Sequence, residues 1–207
     1  MIDTTVTRPK KQAMDQRLLA AGALILAGAV CNLAAPWMTV WGEISSLTLI
    51  SAGYAVLAIT GLASRGPLGR SRFAAYCALF YAAWSFVWGM LVLSTVFDGE
   101  GSAPLWLTAA SPFAIVIGIS AALISAVAAA RSLQSFGKWK WVPAIMFAAQ
   151  IVIVLLNNLL ALFVPIQGEM SGIWAVFFPV SAAVTILTPI AIGVLTLIFT
   201  AITRDRE

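Results

Sequence analysis

Six long stretches without a single charged side chain dominate this chain of 207 residues, at 18–42, 44–64, 73–97, 101–130, 141–168 and 170–203. About 20 apolar residues cross a bilayer as one helix, so each stretch holds one crossing and none holds two. A water-soluble fold cannot hide 61% hydrophobic residues behind 10% charged ones, because much of any folded surface must face solvent. Soluble enzymes, disordered proteins and secreted disulfide scaffolds are excluded on that ground. The expected fold is all-α: a polytopic membrane protein with helices at roughly 18–40, 46–64, 73–96, 106–130, 141–164 and 174–202.

Orientation follows from the cations. Arg8, Lys10, Lys11 and Arg17 precede the first helix, and Arg65, Arg70 and Arg72 separate the second from the third. Arg131, Lys138 and Lys140 separate the fourth from the fifth, and Arg204 and Arg206 follow the sixth. All twelve basic residues thus fall on one face, while Glu43, Asp98, Glu100 and Glu169 fall on the other. Basic loops stay cytoplasmic, so both termini are expected inside a cell (inner or plasma) membrane. The net charge of +4 reflects this topology and gives no reason to expect nucleic acid as a partner. Trp37, Trp41, Trp106 and Trp174 fall near the expected outer boundary and Trp139 and Trp141 near the inner one, where amphipathic rings settle. Residues 1–16 read as a disordered basic tail and 17–204 as one transmembrane domain of three helical hairpins, 17–64, 73–130 and 141–203. A short cytoplasmic tail, 204–207, ends the chain.

The outer loops repeat. Gly42-Glu43-Ile44-Ser45, Gly99-Glu100-Gly101-Ser102 and Gly168-Glu169-Met170-Ser171 each join two successive helices. Asn32 precedes Glu43 by the same distance as Asn158 precedes Glu169, and Gly89 holds that place in the middle copy. A threefold hairpin repeat follows, and two roles are open to its glutamates. They form an acidic ring at an outer mouth, or each caps the helix that begins just after it, where a carboxylate complements the helix dipole.

No Asp, Glu, Lys, Arg or His lies within any expected span, and the chain has no histidine at all. Proton relays, ion-coupled pumps and voltage sensors use intramembrane ionisable groups, and activated nucleophiles need a nearby base. Neither an enzyme nor a cofactor or metal site is expected. The polar groups that remain are Asn32, Gln150, Asn157 and Asn158, with Ser181, Thr185 and Thr188 in an i, i+4, i+7 stripe. Gln150 and Asn157, seven residues apart, share a helix face. Such side chains either line a path for a solute or hydrogen-bond neighbouring helices together. Tyr76, Phe80, Trp84 and Trp88 recur at i+4 steps and offer either a stacking face for a flat ligand or a packing and lipid-facing surface. Ala23 and Ala27 are small residues four apart, a spacing that permits close helix approach. Cys31 and Cys77 lie at different depths, so no disulfide is expected between them.

Two functions are consistent with this inventory. One is handling of a neutral or apolar solute without proton coupling, by a small channel or a substrate-binding subunit of an importer. The other is a non-transporting accessory, assembly or stress-response subunit. Expected partners are the lipid bilayer and either another membrane protein or further copies of the chain.

Overall fold

The computed structural model describes residues 8–63, 71–97, 104–132, 137–163 and 171–205. Every regular element among them is helical: α1 (Arg8–Ala63), α2 (Arg72–Phe97), α3 (Leu105–Ser132), α4 (Val142–Phe163) and α5 (Ser171–Asp205). A short 3₁₀ turn, Gly137–Trp141, leads into α4. It starts at Gly137 with φ of 50°, a left-handed conformation in which a side chain would be strained. Six segments are long and apolar enough to cross a membrane, because α1 contains two of them, Met14–Met38 and Val40–Ala63.

The 56 residues of α1 would measure about 84 Å if straight, far more than a bilayer of about 30 Å. The helix instead doubles back. Residues 35 and 42 lie about 10 Å apart along a straight helix, yet a Cβ placed on Gly42 would come within 2.8 Å of the Ala35 Cα. Pro36, which removes one backbone donor and bends a helix, stands at the start of this reversal. The two arms then pack closely, with Gly28 against Ser46 and Ile50, and Gly53 against Ala21 and Ile25.

Neighbour contacts close the six spans into a ring. The first arm of α1 meets α5 where Gly22 faces Gly193 and Leu197. The second arm meets α2, Leu47 covering Gly89 and Ser51 Oγ lying 3.3 Å from Ser85 Oγ. Contacts continue from α2 to α3, from α3 to α4 and from α4 to α5. Across the α2–α3 seam, Trp84 Nε1 donates to the Ala114 carbonyl at 2.7 Å and Ser125 Oγ donates to the Ala74 carbonyl at 2.7 Å.

Alanine fills much of the interior, with Ala58, Ala74, Ala75 and Ala130 fully buried. Without a hydrophobic force between helices in lipid, small residues that let backbones approach give the best packing. Large apolar side chains such as Val30, Phe113, Ile145 and Val176 point outward, as a surface solvated by acyl chains permits.

Several sequence expectations meet a different arrangement. Helix begins at Arg8, within the stretch read as a disordered tail; Pro9 is tolerated in a first turn and Lys, Gln, Ala and Met are strong helix formers. Ala23 and Ala27 are exposed, and the close-approach face of the first arm is carried by Ala21, Gly22, Ile25 and Gly28 instead. Trp37, Trp41, Trp106 and Trp139 are exposed, whereas Trp174 is only 4% exposed, its ring stacked on Phe178 at 5.1 Å. The cysteines are free and half-buried.

Candidate functional site

The helix faces turned toward the middle of the ring border two adjacent, partly open cavities. The larger, about 350 Å³, is bounded by Tyr81, Trp84, Ser85, Trp88 and Gly89 of α2, with Ala114, Ile115, Gly118 and Ile119 of α3. Gln150, Ile153, Val154 and Asn157 of α4, with Ser181 and Thr185 of α5, complete it. The second, about 210 Å³, is bounded by Asn32, Ser46, Leu47, Ile50, Ser51 and Tyr54 of α1, with Thr188 and Pro189 of α5. Tyr81, Ser85, Gln150 and Thr185 border both cavities, and the two together touch all six spans.

Local periodicity explains the convergence. Gln150 and Asn157 are two helical turns apart, which places both amides on the inward face of α4. Ser181, Thr185 and Thr188 follow the same rule on α5. Six of the seven expected solute-lining residues thus border one or both of these adjacent cavities: Asn32, Gln150, Asn157, Ser181, Thr185 and Thr188. Asn158 does not. It lies about 100° further round α4, and its Nδ2 donates to the Val154 carbonyl of the same helix at 2.7 Å.

Hydrogen bonding sorts these groups further. Thr185 and Thr188 donate to carbonyls of their own helix, Ser181 at 2.9 Å and Val184 at 2.8 Å. Ser51 and Ser85 pair with each other. The carboxamides of Asn32, Gln150 and Asn157 have no side-chain hydrogen bond among the described residues, and the buried Nε1 of Trp88 has no partner either. Among the described residues the glue role therefore falls to Trp84, Ser125 and the Ser51–Ser85 pair, and the three amides take no part in it. For the Trp88 Nε1, a buried donor left unmatched, the cost is about 1–3 kcal/mol. The cavity as built suits water or a solute that supplies the missing partners.

Among the described residues, no carboxylate, ammonium or guanidinium group borders either cavity. Toward the end of the bundle that carries Lys140, a triad of rings closes the space: Tyr54 and Tyr81 at 5.0 Å, Tyr81 and Phe147 at 5.7 Å, and Tyr54 and Phe147 at 6.4 Å between centroids. Beyond the rings lies a smaller pocket of about 90 Å³, bordered by Ala78, Ala122, Ser125, Ala126, Thr196 and, at its rim, Trp139 and Lys140. Tyr54 and Tyr81 border the spaces on both sides.

The aromatic series on α2 divides. Tyr76 and Phe80 are exposed, whereas Trp84 and Trp88 are half-buried and border the larger cavity. An i+4 step overshoots a full turn by about 40°, so four such positions sweep round the helix and do not form a straight face. The glutamates also separate. Glu43 is exposed within the continuous α1, so it does not stand at the start of a separate helix as the capping role requires. Glu100 and Glu169 lie outside the described residues. The matched asparagines of the repeat occupy unlike settings, Asn32 on the cavity and Asn158 on its own backbone.

Sequence reasoning missed Ser46, Ser51, Ser85 and the Tyr54–Tyr81–Phe147 triad. A signal existed for part of this, since Tyr81, Ser85 and Gly89 recur at i+4 on the inward face of α2. Compared with protein-family models, curated proteins and solved structures, the chain matches none.

Proposed function

We propose that this chain is an integral membrane protein that takes a neutral polar solute into its central cavity without ion coupling, as a small channel or a solute-capturing subunit of an importer. Its spans form three hairpins with both termini on the cytoplasmic side of the plasma membrane, and the solute arrives from the opposite face. One observation carries this reading: three carboxamides and one indole N–H, none with a described hydrogen-bond partner, border adjacent cavities on which no described charged side chain lies. Helix-binding polar groups find their partners on neighbouring helices; these four do not. The uncharged lining favours a neutral solute, because a bare ion would lose its hydration there without a counter-charge. The orientation rests on the cations, which cluster in the sequence at one end of each span.

Thiol labelling in intact cells tests this. In a background with Cys31→Ser and Cys77→Ser, Asn157→Cys is expected to react with a membrane-impermeant hydrophilic thiol reagent added outside. Leu155→Cys, at an exposed apolar position of the same helix, is expected to stay inert. An unreactive Asn157→Cys overturns the solute-site reading.

A further inference from the structure

The larger cavity is bordered by the indoles of Trp84 and Trp88 on one side and by amides on another, and Phe80, outside it, stacks on Trp84. On α2, the planes of Phe80 and Trp84 lie 17° from parallel and those of Trp84 and Trp88 10° from parallel, with centroids 5.6 and 6.4 Å apart. Trp84 is held rigidly. Its Nε1 donates to the Ala114 carbonyl, and its Cδ1 lies where a Cβ on Gly118 would come within 2.9 Å. A glycine at 118 therefore makes room for the indole against α3. Trp88 completes the wall and keeps its buried N–H unpaired. From α4 and α5, Gln150, Asn157 and Ser181 border the same space.

Each group selects for a feature of the ligand. Immobilised indoles favour a flat π-face, on which ring systems stack. A carboxamide presents a donor beside an acceptor, which matches the edge of a ring carrying an acceptor beside a donor, as Asn and Gln match adenine. The unpaired Trp88 N–H asks for one more acceptor. The lack of charge excludes phosphorylated or carboxylated forms, and a cavity of about 350 Å³ lies within the range of small-molecule sites.

We propose that the larger cavity binds a flat, neutral nitrogen heterocycle with an amide-like edge, packed against the indoles of Trp84 and Trp88 and held by Gln150 and Asn157. This ligand class presupposes that the cavity is a solute site, the reading given above.

Equilibrium dialysis of the purified full chain with radiolabelled adenine, uracil and nicotinamide tests the class, with glycerol and glucose as neutral, non-planar comparators. Saturable binding of at least one heterocycle is expected, and none of either polyol. Trp88→Phe, which keeps a ring and removes the N–H, weakens binding a few-fold. Trp88→Leu, Gln150→Leu and Asn157→Leu each weaken it about tenfold. Gln150→Leu and Asn157→Leu change packing little, so they decide the matter if Trp88→Leu fails to elute as a single species. The proposal is overturned if no heterocycle binds saturably, if binding survives the leucine variants, or if a polyol binds instead. Asn157→Cys labelling separates the two levels. A reactive thiol without heterocycle binding leaves the solute site standing and removes the ligand class, whereas an inert thiol removes both.

Discussion

The rings of Tyr54 and Tyr81 meet edge to face, 84° apart in plane and 5.0 Å between centroids, and with Phe147 they stand between the polar cavities and the pocket beside Lys140. A T-shaped pair is the preferred geometry for two quadrupoles, so the barrier is an attractive contact between α1 and α2. Replacing Tyr81 with alanine removes the ring common to both of its described ring contacts. In a cysteine-free background, Ala126→Cys, buried on the far side, is expected to react slowly with a hydrophilic thiol reagent supplied from the cavity side. Adding Tyr81→Ala raises that rate several-fold. An unchanged rate would show that the triad is not what divides the two spaces.

Close packing inside α1 gives a prediction about stability. A Cβ on Gly28 would lie 2.9 Å from the backbone nitrogen of Ile50 and 3.0 Å from the Ser46 carbonyl oxygen. At Gly89 every obstructing atom belongs to the flexible side chain of Leu47, the nearest at 2.5 Å. Backbone cannot move aside without parting the two arms, whereas a leucine end changes rotamer. Gly28→Ala is therefore expected to destabilise the protein by about 1–3 kcal/mol. Gly89→Ala stays within about 1 kcal/mol of wild type, because the helix preference for alanine offsets the displacement of Leu47. Thermal unfolding of the two purified variants checks the order, and equal losses would contradict the tight reversal of α1.

Such contrasts mark how far the sequence could be read. Spans were legible because charge cannot enter hydrocarbon cheaply, so the positions of Arg72, Arg131 and Lys140 alone delimit helices. Pairing of inward residues along one helix was legible too: the i, i+7 relation of Gln150 and Asn157 carries directly into the cavity wall. Relations between helices were not. Tyr54, Tyr81 and Phe147 come from three different elements, and no periodicity within a helix reveals that their rings converge. The Gly-Glu-x-Ser loops illustrate the converse, since a turn motif read as a break lies inside one continuous helix at residues 42–45. There the chain reverses beside Pro36 within the span assigned to one helix.

The described cavity walls carry no group that ordinarily titrates between pH 5 and 8, their only ionisable side chains being the phenols of Tyr54 and Tyr81, so the chemistry there is insensitive to pH in that range. Solute binding changes with pH only when proton occupancy differs between the free and bound states, and neither wall carries a carboxylate, imidazole or amine. Binding of the heterocycle identified by dialysis is expected to vary by less than about twofold between pH 5 and 8. A sloping profile would mean that a proton travels with the solute, contrary to an uncoupled mechanism.

Adjacent asparagines on α4 supply an internal control. Asn157 borders the larger cavity and has no described hydrogen-bond partner, whereas Asn158 donates to the Val154 carbonyl at 2.7 Å. Both are polar amides at nearly the same depth, so replacement by leucine alters the hydropathy of the span equally. Their effects should nonetheless differ. Asn157→Leu removes a group that a bound solute would use, and binding is expected to fall about tenfold, the range for one lost hydrogen bond. Asn158→Leu frees a carbonyl that remains available to the helix backbone, so binding should stay within about twofold of wild type. Dialysis of the two variants side by side measures the difference. If Asn158→Leu proves the more damaging, the inward face of α4 is rotated by about 100° from the one described, and the assignment of Gln150 to the site falls with it.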